Sequence, residues 1–196
     1  MRSLISYKGG KMGLFSKKIK INYQLKNQID EMLSSAKTVS PNLAETMRND
    51  LILFLLKQVA ADGQVAKEEV QFINGYLDMC WTVDKMINYL NQYFNVIKDY
   101  VLPKSILMFT EVYLSIDKEE ETELSRNLKE LTIARMDVFL LSLVLLCKEI
   151  ISIDGDISDE ELDGLNKIIT TSSDYIESKL GFVSKGVEVA RRAITN

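Results

Sequence analysis

One phrase occurs twice in this chain. Ala61-Asp62-Gly63-Gln64-Val65-Ala66-Lys67-Glu68-Glu69-Val70 returns 92 residues later as Ile153-Asp154-Gly155-Asp156-Ile157-Ser158-Asp159-Glu160-Glu161-Leu162. Each copy closes an apolar run, LILFLLKQVAA or VFLLSLVLLCKEIISI, and opens a stretch with helical spacing. The same offset aligns Leu53 with Leu145, Val59 with Ile151, Ile73 with Leu165 and Asn74 with Asn166. The repeat therefore covers a pair of helices as well as a turn, and it predicts a chain built from two related halves.

At 196 residues the chain can bury one good core, whereas two independent domains would each be small. Two prolines and nine glycines are few breakers, which favours long helices. The expected fold is all-α: a single bundle of about seven to nine helices over residues 22–196, with pseudo-symmetric halves near 22–101 and 103–196. A basic, flexible arm is expected over 1–21. The spacing of Leu25, Ile29, Met32 and Ala36 predicts a helix over 22–38. Ser40-Pro41 supplies an N-cap and a first-turn proline for the next, through about Ala61. Further helices are expected over 66–79, from Thr82 through Ile97, from Pro103 through Leu114, over 133–153 and 158–170, and in one or two pieces through Ile194. Trp81 should plug a corner between two of them.

The residues that are missing exclude whole chemistries. The chain has no histidine, which removes the usual general base and imidazole metal ligand. Cys80 and Cys147 sit in apolar stretches and read as small core hydrophobes in a reducing compartment. There is no phosphate-binding loop, and Lys8-Gly9-Gly10-Lys11 lies outside any strand-to-helix context. An enzyme is not expected. Val138–Cys147, the longest uncharged apolar stretch, is about half of the ~20 residues a membrane span needs. With no secretory signal evident, a cytoplasmic protein is expected.

Charge is unevenly spread. Residues 1–26 carry seven cations (Arg2, Lys8, Lys11, Lys17, Lys18, Lys20 and Lys26) and no acid, so the remaining chain holds 17 cations against 28 acids. These lysines read first as a solvated tail, so a specific nucleic-acid groove is not expected. A weak contact with a membrane surface remains open to the arm, and a protein partner to the acidic body. The pattern sets no oligomeric state. Met12-Gly13-Leu14-Phe15-Ser16-Lys17-Lys18 resembles a natural start, which makes the preceding eleven residues candidates for an extension. The acids Asp117, Glu119, Glu120, Glu121 and Glu123 suit the solvated start of a helix.

Two readings of the repeated acids stand side by side. In the structural one, Asp-Gly makes a turn, and Ser158 with Glu161 forms a capping box. Against it, Ala66 cannot accept a hydrogen bond through its side chain, which leaves Glu69 without a reciprocal partner. Asp62 and Asp154 also stand near helix C-termini, where an anion is disfavoured unless a cation is present. Neither copy is a complete EF-hand loop. Aligned on its glycine, the first two ligand positions fall on Gln58 and Ala60, or on Ile150 and Ser152. A divalent cation held by acids from both copies is the chemical expectation, calcium or magnesium before zinc because every clustered ligand is an oxygen.

The duplicated helix ending in [Ala/Ile]-Asp-Gly-x-[Val/Ile]-x-x-Glu-Glu, behind Met12-Gly13-Leu14-Phe15-Ser16-Lys17-Lys18, resembles the TerB-like family, named for a bacterial tellurite-resistance protein. The resemblance covers roughly 12–195 by arrangement, although its specific motif is short. It implies a compact bundle of two pseudo-equivalent halves and a metal-binding or sensing surface in cytoplasmic stress-response systems. The matching positions are Asp62 and Glu69 in one half and Asp154 and Glu161 in the other, with Glu68, Asp156 and Glu160 as neighbours. The expected function is a non-enzymatic module that senses a divalent cation; the alternative is a metal-independent scaffold for protein interactions.

Overall fold

Long stretches without a breaker give a chain that is helix almost throughout. The structure, a computed structural model, describes residues 5–8, 19–116, 122–153 and 159–195. In chain order its elements are β1 (Ser6–Tyr7), α1 (Tyr23–Val39), α2 (Pro41–Val59), β2 (Gln64–Val65), α3 (Lys67–Leu77), α4 (Val83–Asp99), α5 (Lys104–Ser115), α6 (Glu123–Ile151), α7 (Asp159–Leu180) and α8 (Lys185–Thr195). This is an all-α bundle, with eight helices among the described residues.

Helices that are apolar nearly all round have to lie in the middle, and α2 packs directly on α6. Leu51, Phe54, Leu55 and Leu56 of α2 and Phe139, Leu140, Leu143 and Val144 of α6 are all fully buried. Two apolar pairs aligned by the repeat agree in burial: Val59 and Ile151 are buried, and so are Ile73 and Leu165.

Two helices run further than apolar patterning predicts. The helix expected over 133–153 begins ten residues earlier, at Glu123, where the Thr122 hydroxyl accepts from Ser125 N at 3.1 Å. That first part is polar on most sides but holds no breaker, and Leu124, Leu128 and Leu131 lie exposed along it. Likewise α7 continues past Thr170 to Leu180, because the chain meets no helix-ender until Gly181 at φ 78°. Ser40 stands at the N-cap of α2 without a side-chain cap bond, although Pro41 occupies the first turn as expected.

The central helices supply partners for the exposed ends of the outer ones. Asp50 of α2, 1% exposed, accepts from Lys104 N at 3.2 Å and Ser105 N at 2.8 Å at the start of α5. Arg48 donates to Leu77 O at the end of α3, and Lys57 to Tyr100 O at 2.9 Å after α4. Lys148 of α6 donates to Ala193 O in α8 at 2.6 Å. Each bond satisfies a backbone group that a helix terminus leaves without an intrahelical partner.

Between α3 and α4, Trp81 packs against the core and lies 5.3 Å from Tyr89 by ring centroids. Asn74 fixes that corner by bonding both Trp81 N and Trp81 O at 2.9 Å. Cys147 is buried as expected, and burial pushes its thiol up to about 12. Cys80 differs: it is exposed, because the corner turns Trp81 rather than its neighbour toward the core.

Part of the segment expected to be a free arm rests on the body. Ile5 is 1% exposed, and Asn91 of α4 bonds both its N–H (3.0 Å) and its carbonyl (3.3 Å). The next residues run parallel to β2, with Ser6 opposite Gln64 and Tyr7 opposite Val65. Ile19 and Ile21 also pack against the core. Met12–Lys18 and Asp117–Glu121 lie outside the described residues. Removing the Ile5 side chain should therefore cost real stability: Ile5→Ala is expected to lose about 2–4 kcal/mol in urea unfolding, whereas a free arm would show no change.

Candidate functional site

The first Asp-Gly turn is closed by its own acids. Gly63 takes φ 73°, a conformation that L side chains rarely adopt, and Asp62 Oδ1 accepts from Gln64 N at 2.8 Å in an Asx-type turn. Asp62 Oδ2 meets Lys8 Nζ at 3.5 Å, so a lysine from the N-terminal segment supplies the positive charge expected beside this helix C-terminus. Glu69 Oε2 accepts from Ala66 N at 2.7 Å. Glu69 thus makes one half of a capping box even though Ala66 contributes no side-chain bond, and the argument that it lacks a structural task falls.

Asp154 and Asp156 of the second copy lie outside the described residues. Glu160 and Glu161 stand in the first turn of α7. The described residues on either side of this turn line two clefts. One, of about 200 Å³, is lined by Lys57, Gln58, Ala60 and Ala61 at the end of α2, by Phe94, Ile97 and Lys98 of α4, and by Glu160 and Gly164 of α7. The other, of about 520 Å³, is lined by Ile19–Asn22, by Glu68 and Phe72 of α3, and by Glu149, Ser152 and Ile153 at the end of α6.

The two clefts are the same place in the two halves. Adding the repeat offset of 92 to Lys57, Ala60 and Ala61 gives Glu149, Ser152 and Ile153; adding it to Glu68 and Phe72 gives Glu160 and Gly164. The end of each central helix thus faces the start of the other half's following helix. The ends of α2 and α6 and the starts of α3 and α7 consequently lie at one end of the bundle.

The lining, however, sorts the acids apart. Glu68 shares its cleft with Glu149 and Lys20, while Glu160 shares the other with Lys57 and Lys98. Glu149 is already engaged: Tyr76 donates its hydroxyl to Oε2, and Asn22 Nδ2 donates to Oε1 at 3.2 Å. Burial, and then Glu149 itself, raise the Tyr76 phenol above its ordinary value. Burial, and then the nearby charge of Lys167, lower the Lys57 ammonium. Of the seven acids expected to converge, Asp62 and Glu69 hold backbone, Glu68 and Glu160 occupy separate clefts, Glu161 stands at the α7 start, and Asp154 and Asp156 are not described. Among the described residues no three Cys, Asp or Glu side chains gather to hold an ion.

Sequence reading missed Asp50 and Glu149. Asp50 stands just before the apolar run of α2 and Glu149 just before the last apolar residues of α6, places where polarity alone does not announce buried partners. Besides the α5 backbone, Asp50 accepts from the hydroxyls of Tyr100 and Ser105, each at 2.5 Å. Burial outweighs these four donors and raises its pKa.

No family model matches the chain, and neither a curated protein nor a solved structure matches it.

Two outcomes follow from this geometry. Glu69→Ala should cost about 1 kcal/mol by loss of the cap bond, by the same amount with or without millimolar magnesium; a cost that appears only with the ion would assign Glu69 to a metal. Because folding raises the Asp50 pKa, the folded state binds that proton more tightly than the unfolded one. Its contribution is complete below the ordinary carboxylate range and declines as pH rises through the raised value. Urea midpoints across mild acid should show this declining component in the native chain and lose it in Asp50→Asn.

Proposed function

We propose that the chain is a non-enzymatic, TerB-like binding module that works without a metal, through the end of the bundle where α2 and α6 meet the starts of α7 and α3. The observation that carries this reading is the pair of clefts, equivalent by the repeat but unlike in lining: two lysines and one glutamate in one, two glutamates and one lysine in the other. Two copies of one frame with different linings suit two different contacts. Asp62 and Glu69 of the first corner meanwhile have structural tasks that account for their presence.

A protein partner is supported by Leu124, Leu128, Leu131 and Val138, which recur along one side of α6 and are 39–68% exposed. No helix among the described residues is long and apolar enough to cross a membrane. Among the described residues of the N-terminal segment, Lys8 has a partner in Asp62 and Lys20 lies in the acidic cleft, which weakens the case for a membrane-surface contact. A stress-response role rests on the family resemblance.

One observation favours the cation-sensing reading. Glu68 and Glu149 line one cleft, and Ile153 on its wall leads in sequence to Asp154. The described set falls short of a cation site, since it offers two carboxylates with Lys20 among them, whereas calcium takes about six to eight oxygens. Melting the protein with and without millimolar calcium, magnesium or manganese decides between the readings. We expect no rise with any ion, and an equal loss in Asp62→Asn whether or not ion is present. A rise that Glu68→Gln and Asp154→Asn abolish would transfer the conclusion to cation sensing.

A further inference from the structure

We infer that the smaller cleft, between α2, α4 and α7, is a binding site for a small monocarboxylate with an apolar body of about phenyl size. The inference names a ligand class for one of the two clefts and so rests on the binding-module reading.

The first support is an orphaned donor. Gln58 is 3% exposed, lines this cleft, and its Nε2 has no hydrogen-bond partner. Buried amide groups are nearly always bonded, so an unbonded one on a residue that lines a cleft calls for a partner that the chain does not supply. The counterpart of Gln58 in the other half is Ile150, so the core position itself makes no demand for an amide.

The second is Gly164, on the inner part of α7, where glycine weakens a helix relative to alanine. Elsewhere close packing explains the helical glycines: a Cβ on Gly75 would meet Ile21 Cδ1 at 2.6 Å, and one on Gly186 would meet Asp137 Cβ at 2.5 Å. At Gly164 the nearest atoms are those of the Gln58 amide at 3.9 Å, an ordinary contact, so packing does not require the glycine. Its counterpart is Phe72, 2% exposed, whose ring lies 4.5 Å from that of Tyr76. One half fills this position with a phenyl group and the other leaves it open. The cleft of about 200 Å³ exceeds the ~150 Å³ apolar cavity known to admit benzene.

Charge chooses the polar end of the ligand. Lys57 stands where the other half has Glu149, with Lys98 beside it. An ammonium has three donors, and the bond from Lys57 to Tyr100 O uses one of them. A carboxylate can therefore accept from Gln58 and a lysine together, while Ala60, Ala61, Phe94 and Ile97 surround its apolar part. Glu160 on the rim disfavours a second negative charge.

Titration of the full chain with benzoate, followed by amide chemical shifts in solution, tests this. We expect saturable shifts at Ala60, Ala61 and Gly164, absent with benzylamine at the same concentration. Binding should weaken at least tenfold in Gln58→Ile and in Gly164→Phe, which install the residues of the other half. Gln58→Ile should melt no lower than the parent chain, because it removes an unsatisfied buried amide, so loss of binding in it cannot come from unfolding. No saturable benzoate binding at millimolar concentration, equal binding in Gln58→Ile, or equal binding of benzylamine overturns the inference. The metal-independent reading is judged separately, by its response to ions.

Discussion

The bundle depends on satisfying helix ends from its middle. Each outer helix that packs against α2 or α6 presents backbone groups with no intrahelical partner, and burying them unpaired costs about 1–3 kcal/mol apiece. Asp50, Arg48 and Lys57 of α2, with Lys148 of α6, meet several of these groups. That explains why the central helices carry charged residues on sides that face other helices. It also explains why Asp50 stays in place although burial disfavours its charge: the start of α5 needs acceptors, and among the described residues its carboxylate receives two backbone and two hydroxyl donors.

Duplication and divergence separate cleanly at the level of single residues. Positions that hold the halves together are kept in kind, as with Val59 and Ile151 or Ile73 and Leu165, since a change of volume in a close-packed interior is felt at once. Positions lining the clefts differ: Lys57 against Glu149, Gln58 against Ile150, Gly164 against Phe72. Reciprocal packing makes this tolerable. The end of each central helix faces the other half, so substitutions there alter a cleft and leave the contact between α2 and α6 intact.

The helical class and most element starts were legible in the sequence because hydrophobic period and turn residues both pointed the same way at Pro41, Gly63 and Thr82. Ends were less legible. The polar first third of α6 and the second half of α7 carry weak apolar patterns, and only the lack of a breaker extends them. The repeat located both corners but could not say which acids face which residues. That depends on how two helix ends cross, and it placed Glu160 beside Lys57 rather than beside Glu68. Cys80 was misread for a related reason: a short apolar stretch does not say which of its members turns inward.

Docking of the N-terminal segment shows which force holds the first corner. Charge offers the obvious account, a basic segment on an acidic body, with Lys8 meeting Asp62 at 3.5 Å. Yet those side chains are 39% and 38% exposed, and ion pairs of that kind contribute about 0–1 kcal/mol. Full burial of Ile5 is worth roughly 1.5–3 kcal/mol. Asn91 and the carbonyls of Gly63 and Val65 also satisfy the segment's backbone. Apolar burial therefore decides where the strand lies, and the ion pair follows from it. The lysine beside Asp62 is a consequence of folding: the strand that Ile5 anchors carries Lys8 to this helix end.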